Sequence, residues 1–542
     1  MSLRINRRLF IEAALIGAGI AALPGFARAW PMAGFTHSVA SGEPAADSVT
    51  LWTRYVAPDA GIARLKLELA EDEAFRSIVA TGETLAGPET DYCAHIRPTG
   101  LKAGRYYYYR FTAPGGQASP VGRTKTLPEG PLDRCRIAVM SCSNITSGWF
   151  TAYAHAAARD DIDLVVHLGD YIYESPTTRS DALAELAIKR DVRPLGELET
   201  LVDYRLRYAS YRNDPDLQEL HRRHPMVVMW DDHETANNSW TGGAENHADN
   251  EGIWALRAAA GVRAFREWIP ASGDYAAYQL GDLATMYRLE TRLLARTQQL
   301  DPEPLLRATT NVEQAVADFV RGPLTDPARQ LLGPTQLQWL ADGMKASASA
   351  GTKWQVLAQQ VIMAPHVMPQ INSGWLAPDL TLDAKTNAEI ELSNRASRAG
   401  MPMGMDRWSG YPAERTRVLQ AAIAAGANLV TLAGDSHNAW ASDLLLDGQH
   451  ASVELCVQSV SSNGLERRFG GNADAIAGDF LATNPDLKWC DTSRRGYMVT
   501  EFTPTAVTCD WLFLPSRTEN STRLLGTHRL ASELHSHRLS AA

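Results

Sequence analysis

Four short apolar runs in this chain end in the same way, and that repetition limits the folds open to it. Residues 137–140 lead into Ser141-Cys142-Ser143-Asn144, and residues 164–168 into Gly169-Asp170-Tyr171-Ile172-Tyr173-Glu174. Residues 226–230 lead into Asp231-Asp232-His233-Glu234, and residues 429–433 into Gly434-Asp435-Ser436-His437-Asn438. Runs this short, several rich in β-branched residues, read as strands buried on both faces. Set between long helical or irregular stretches, they are the pattern of an α/β domain. Cation-binding side chains therefore recur at the carboxyl ends of strands, where open α/β sheets hold their ligands. A single Gly-Asp is an ordinary turn aspartate. Four runs ending alike are not explained as caps.

The α/β region is expected over 134–517. Residues 354–358 add another apolar run, and 452–460, 497–502 and 506–514 add a β-rich end. The stretches near 174–225, 281–350 and 364–415 are candidate helices and covers for the site. Residues 518–542 read as a polar helix or tail. Ahead of this region, residues 30–128 are all-β in texture. Residues 48–54 and 63–69 alternate apolar and polar, and Tyr106-Tyr107-Tyr108-Tyr109 forms an aromatic strand. Short strands of this kind predict an immunoglobulin or fibronectin III-like sandwich, with the tyrosines packing its core and pairing across strands.

Residues 1–29 read as an address. A basic start with Arg7-Arg8-Leu9-Phe10, an apolar run over 13–23 and Ala27-Arg28-Ala29 describe a cleavable signal peptide. The arginine pair resembles a twin-arginine export signal. An 11-residue run is too short for a membrane anchor, since a helix rising about 1.5 Å per residue must cross about 30 Å of hydrocarbon. The expectation is thus a partnership with the twin-arginine translocase during export, a periplasmic or secreted location and no permanent membrane anchor. Lys+Arg total 52 against Asp+Glu 62, a net charge of −10, so nothing global favours nucleic-acid binding. An anionic substrate then needs a local device such as metal ions. The six cysteines invite disulfides in an oxidising compartment, but no zinc-type spacing is present.

The wording HLGDYIYE, WDDHE followed by NNSW, and AGDSHNAW resembles the alkaline phosphatase D (PhoD-like) family of the metallophosphoesterase superfamily. SVASGEP near the start, SCS at 141–143, and the later SVSS-NG and RRGYMV add to the likeness, which covers essentially the whole chain. The resemblance implies a two-sheet α/β/β/α sandwich following the all-β domain. It also implies a ferric ion (Fe3+) held by Cys142, Asp170, Tyr173 and His437. Calcium (Ca2+) would be held by Asp170 as a bridge, Asp232 and Asp435, with Gln360 assisting. Thiolate and phenolate donate strongly to a ferric ion, and an all-oxygen set selects a hard cation. Cys142 also reads as a small buried residue or as half of a disulfide with Cys135, and Gln360 as a strand-end hydrogen bond.

His233 is implied to face substrate, where a neutral-range pKa suits it to protonate a leaving alkoxide. A structural histidine bonded to a carboxylate is the other reading. Asn237, Asn238 and Asn438 are weaker candidates for phosphate contacts. Relatives read L-D-T-R where this chain has Leu289-Glu290-Thr291-Arg292, so Arg292 either clamps phosphate or pairs with Glu290.

The expected function is an exported phosphoesterase that hydrolyses phosphomonoesters, phosphodiesters or both by metal-activated hydroxide. A phospholipase D-like diesterase, or a non-catalytic surface protein with structural metals, are the alternatives. Replacing Arg7 and Arg8 together by lysine is expected to retain the protein in the cytoplasm, because the pair is read by a receptor. Unchanged periplasmic activity of that variant removes the twin-arginine assignment.

Overall fold

In a computed structural model, residues 33–176, 190, 192–377 and 382–542 are described. The expected leader at 1–29 lies outside them. The apolar runs form the centres of two large sheets. In the first, Cys135–Met140, Leu164–His167 and Pro225–Val228 run parallel. In the second, Ala284–Arg288, Trp354–Ala358, Leu429–Ala433 and Gln449–Cys456 run parallel. Among the described residues the first sheet has ten strands and the second seven.

Strand periodicity assigns each side chain to a layer. Ile137, Val139 and Val166 point between the sheets, where they meet Met286, Val356, Val430 and Val453. Their neighbours Ala138, Met140 and Val165 point outward beneath helices. Leu201–Arg212, Pro215–Arg223 and Trp254–Trp268 cover that outer face with Tyr204, Leu217 and Phe265. Gly333–Ser349 and Pro412–Ala425 cover the second sheet with Leu340, Met344 and Val418. The layering is α/β/β/α. Each central strand is apolar on both faces because both faces are covered.

The all-β part precedes this layering and is joined to it by hydrogen bonds. Ile78–Ala86, Ala63–Ala70, Tyr106–Thr112 and Gly122–Lys125 make a four-stranded sheet. The opposing strands Gly34–Gly42, Thr50–Val56 and Cys93–Ile96 continue the ten-stranded sheet, with Gly34–Gly42 running parallel to Pro225–Val228. Tyr107 and Tyr109 fill the sandwich core with Leu65, Leu67 and Phe111.

Two expectations are corrected, and one open alternative is closed. The segment after 518 is not a helix or loose tail: Gly526–Glu533 pairs antiparallel with Ala506–Leu514 and buries Leu530 between the sheets. Its apolar alternation is weak, and the neighbour's ladder supplies the order. The stretch from 281 expected to be a helix or cover begins instead with a strand, Ala284–Arg288, which forms a hairpin with Ala276–Leu280 at the edge of the second sheet. The six cysteines are all free and buried, so Cys135 and Cys142 form no bridge. Among the described residues no helix is long and apolar enough to cross a membrane.

The seam between sandwich and second sheet is fastened by a buried ion pair. Glu43 accepts hydrogen bonds from Arg288 Nη1 at 2.5 Å and Tyr278 Oη at 2.9 Å. Both partners of the pair are buried. Glu43→Ala strands a guanidinium in the interior, and is expected to lower unfolding free energy by about 3–5 kcal/mol. Adding Arg288→Met should recover much of that loss, as read by urea titration of both variants.

Candidate metal centre

The carboxyl ends of both parallel sets meet at one edge. Cys142 follows strand Cys135–Met140, Asp170 follows Leu164–His167, and Asp231 and Asp232 follow Pro225–Val228. From the second sheet, Asp435 and His437 follow Leu429–Ala433, and Ser462 and Asn463 follow Gln449–Cys456. Cys142, Asp170, Asp435 and His437 all have left-handed backbones, with φ of 59°, 54°, 60° and 63°. Non-glycine residues rarely adopt that region, and clusters of them mark sites whose surroundings fix the chain. Gly169, at φ 107°, permits a close approach of two loops: a Cβ there would run into the Asp231 backbone and Cβ.

Two groups of donors share Asp170. Ligand atoms of Cys142, Asp170 and His437 lie within 4.8 Å of one another, as do those of Asp170, Asp232 and His233. Tyr173 joins the first group, its hydroxyl 2.9 Å from Asp170 Oδ2 and 3.2 Å from His437 Nε2. His437 Nδ1 is 2.5 Å from the Asn463 carbonyl, which leaves Nε2 with a lone pair toward the other donors. Ser462 donates to the Tyr173 oxygen at 2.7 Å and to the Cys142 carbonyl at 2.9 Å. In the second group, Asp232 Oδ2 accepts from the Asn238 amide at 2.7 Å, and Oδ1 from the His233 amide at 3.0 Å.

Electrostatics make the cluster cation-demanding. Burial, and then neighbouring charges, push Asp170, Tyr173 and Cys142 well above their usual ranges. For the tyrosine and the thiol the leading neighbour is Asp170. Burial likewise raises Asp435 to about 6 and lowers His437 to about 4. Burial opposes charging of His233, yet Glu174 and Asp232 outweigh it and hold the imidazole well above its normal range. Asp170 Oδ1 and Asp231 Oδ2 are buried with no hydrogen-bond partner among the described residues. Buried acceptors of this kind are costly alone and fit a bound cation. A sulfur, a phenol, an imidazole and a shared carboxylate fit a transition metal beside an oxygen-bound one.

Several expected residues do other work. Gln360 is a correction: its Oε1 accepts from Thr291 Oγ1 at 2.8 Å, and its Nε2 donates to the Trp230 and Leu289 carbonyls at 2.8 and 3.1 Å. It ties three strand ends together. Arg292 is another. Its guanidinium pairs with Asp231 through Nε and with both Asp406 oxygens at 2.8 Å, while only its backbone amide meets Glu290. Nη2 lies 3.8 Å from Asp232 and 3.9 Å from Asp435, so the arginine neutralises the aspartates. Glu290 accepts three backbone amides of its own turn, from Arg292, Leu293 and Leu294. Asp435 joins neither donor group; its nearest cations are Arg292 and Arg407, each at 3.9 Å. Asn237 and Asn238 act through their amides, on Glu174 and Asp232.

Two buried carboxylates were not singled out from sequence. Glu174 Oε2 is 2.6 Å from His233 Nδ1, and its Oε1 accepts from the Asn237 amide at 2.8 Å. Glu234 accepts from the Tyr171 and Asp231 amides at 2.5 and 2.8 Å, locking two ligand loops together. Each glutamate closes one of the polar clusters, Gly169–Glu174 and Asp231–Glu234, and that position is the signal available in the sequence.

The geometry has close relatives. A model of the PhoD-like phosphatase family matches residues 137–511, and a model of that family's N-terminal domain matches 21–128. Alkaline phosphatase D of Bacillus subtilis (strain 168) is 34% identical over 512 residues, covering 90% of this chain and 78% of that protein. A solved structure of PhoD superposes with a TM-score of 0.77 at 30% identity, covering 95% of this chain and 93% of that one. The purple acid phosphatase PPD1 of yellow lupin (Lupinus luteus) shares the fold, with a TM-score of 0.53 at 10% identity, over 92% and 74% of the two chains. With the family model spanning both parallel sheets and every strand end that carries a donor, the chain belongs to the PhoD-like phosphatase family.

Proposed function

We propose that this protein is an exported phosphoesterase that hydrolyses phosphomonoesters, phosphodiesters or both at the Asp170 centre. The single observation that carries this reading is Asp170 itself, shared by two donor groups with His233 in one of them. Likeness to alkaline phosphatase D supports the chemistry, and the Arg7-Arg8 leader supports export. Cys142, Asp170, Tyr173 and His437 would hold ferric iron, and Asp170 and Asp232 calcium, with Asp435 beside them. When bound, the cations supply Lewis acidity to the phosphoryl group and lower the pKa of the attacking water.

The chain's own residues do the rest. Glu174 fixes the His233 ring through Nδ1 and favours its charged form, leaving Nε2 to donate a proton to the departing ester oxygen. Glu234 and Gln360 keep the strand ends in register. Arg292 limits repulsion among Asp231, Asp232 and Asp435.

Activity of the metal-loaded protein on p-nitrophenyl phosphate and bis-p-nitrophenyl phosphate tests the reaction and ranks the ester classes. No turnover of either removes the catalytic reading. Chelation should act in two stages. Mild calcium chelation should abolish activity reversibly while iron stays bound, and Tyr173→Phe should bleach a tyrosinate-to-iron absorption band. Two zinc ions in colourless, active protein would overturn the metal assignment alone.

If His233 protonates the leaving group, His233→Ala should slow alkyl phosphates by about 10²–10⁴-fold and nitrophenyl esters far less. Equal losses on both ester types point instead to a positioning role.

A further inference from the structure

The helix Leu201–Arg212 ends in an arginine that the phosphoesterase reading leaves unused. Arg212 is fully buried, and among the described residues Nε, Nη1 and Nη2 have no hydrogen-bond partner. Its guanidinium carbon stacks 4.2 Å from the Trp52 ring centroid, which satisfies one face of the cation and leaves its five N–H donors with no more than a loose contact to the Tyr171 hydroxyl. Its surroundings are aromatic. Tyr171 lies beside it, 2.8 Å from His221 Nε2 through its hydroxyl, and stacks on Tyr208 with centroids 6.2 Å apart. Trp268 packs on Trp52 at 6.0 Å. Tyr208 Oη, His221 Nδ1 and Trp268 Nε1 also lack partners. The region holds many donors, few acceptors and no carboxylate bonded to the guanidinium.

Burial and then the Arg212 charge hold His221 well below the usual imidazole range, so the histidine neither competes with the arginine nor balances it. Buried water would satisfy hydrogen bonds but leave the charge uncompensated. A small monovalent anion does both. We propose that Arg212 holds a buried halide ion, chloride in ordinary salt, between the helix Leu201–Arg212 and the loop carrying Tyr171. Tyr171 immediately follows Asp170, so the anion braces the ligand loop from behind.

The full chain tests this at constant ionic strength in chloride, bromide and gluconate salts. Thermal unfolding midpoints should rise saturably by several degrees with either halide and not with gluconate. Arg212→Met should lose that halide dependence. Crystals grown in bromide should give an anomalous peak beside the guanidinium. Absence of that peak, with only water density there, overturns the proposal whatever the melting curves do. Halide dependence retained by Arg212→Met overturns it as well, because the ion then acts elsewhere. Should Arg212→Met fail to fold, the bromide signal in the unsubstituted protein decides alone.

Discussion

The crowding of negative charge at one buried sheet edge governs much of this structure. Asp170, Asp231, Asp232 and Glu234 are each almost wholly buried within two adjoining loops. Like charges in a low-dielectric interior repel strongly and favour protonation. The fold answers with Arg292 on Asp231, His233 beside Asp170 and Asp232, and backbone amides on Glu234. Those partners are incomplete: among the described residues Asp170 Oδ1 has no donor. What remains is a group of buried acceptors that suits a cation.

This arrangement is costly in backbone geometry. Three residues of the donor groups, Cys142, Asp170 and His437, and Asp435 beside them sit at left-handed φ, and Gly169 is pressed against the next loop. Such conformations cost about 1–3 kcal/mol each and persist only where surrounding structure overdetermines them. Here the surroundings are two apolar sheets sharing one core, with helices on both outer faces. The sandwich adds to this frame by continuing the first sheet beyond Pro225–Val228 and by clamping Glu43 to Arg288. It is part of the scaffold as much as an appendage.

The same logic separates ligands from supports. Gln360, Glu234 and Glu290 are strand-end polar residues like Asp170, yet each uses its side chain mainly to bond backbone groups of its own turn or of neighbouring segments. Buried main-chain donors and acceptors must be paired, and where several strand ends splay apart a side chain must reach across. A strand-end carboxylate or amide is therefore ambiguous until its neighbours are known.

The sequence alone determined the central strands and the cluster of polar residues at strand ends, because burial on two faces writes a local apolar pattern; which layer each residue enters came from the structure. The family resemblance of its motifs, rather than their spacing, drew Cys142, Asp170, Tyr173, Asp232, His233, Gln360, Asp435 and His437 into one expected set. The sequence did not reveal the strand Gly526–Glu533, whose order comes from its neighbour's ladder rather than its own composition. Nor did it reveal that Glu174 holds His233, that Arg292 faces Asp231 and Asp406, or that Asp435 stands apart from both donor groups. Those choices were decided by tertiary structure. They depend on which of several similar polar groups from distant segments come within a few ångströms, and at that range small differences in backbone direction choose the partner.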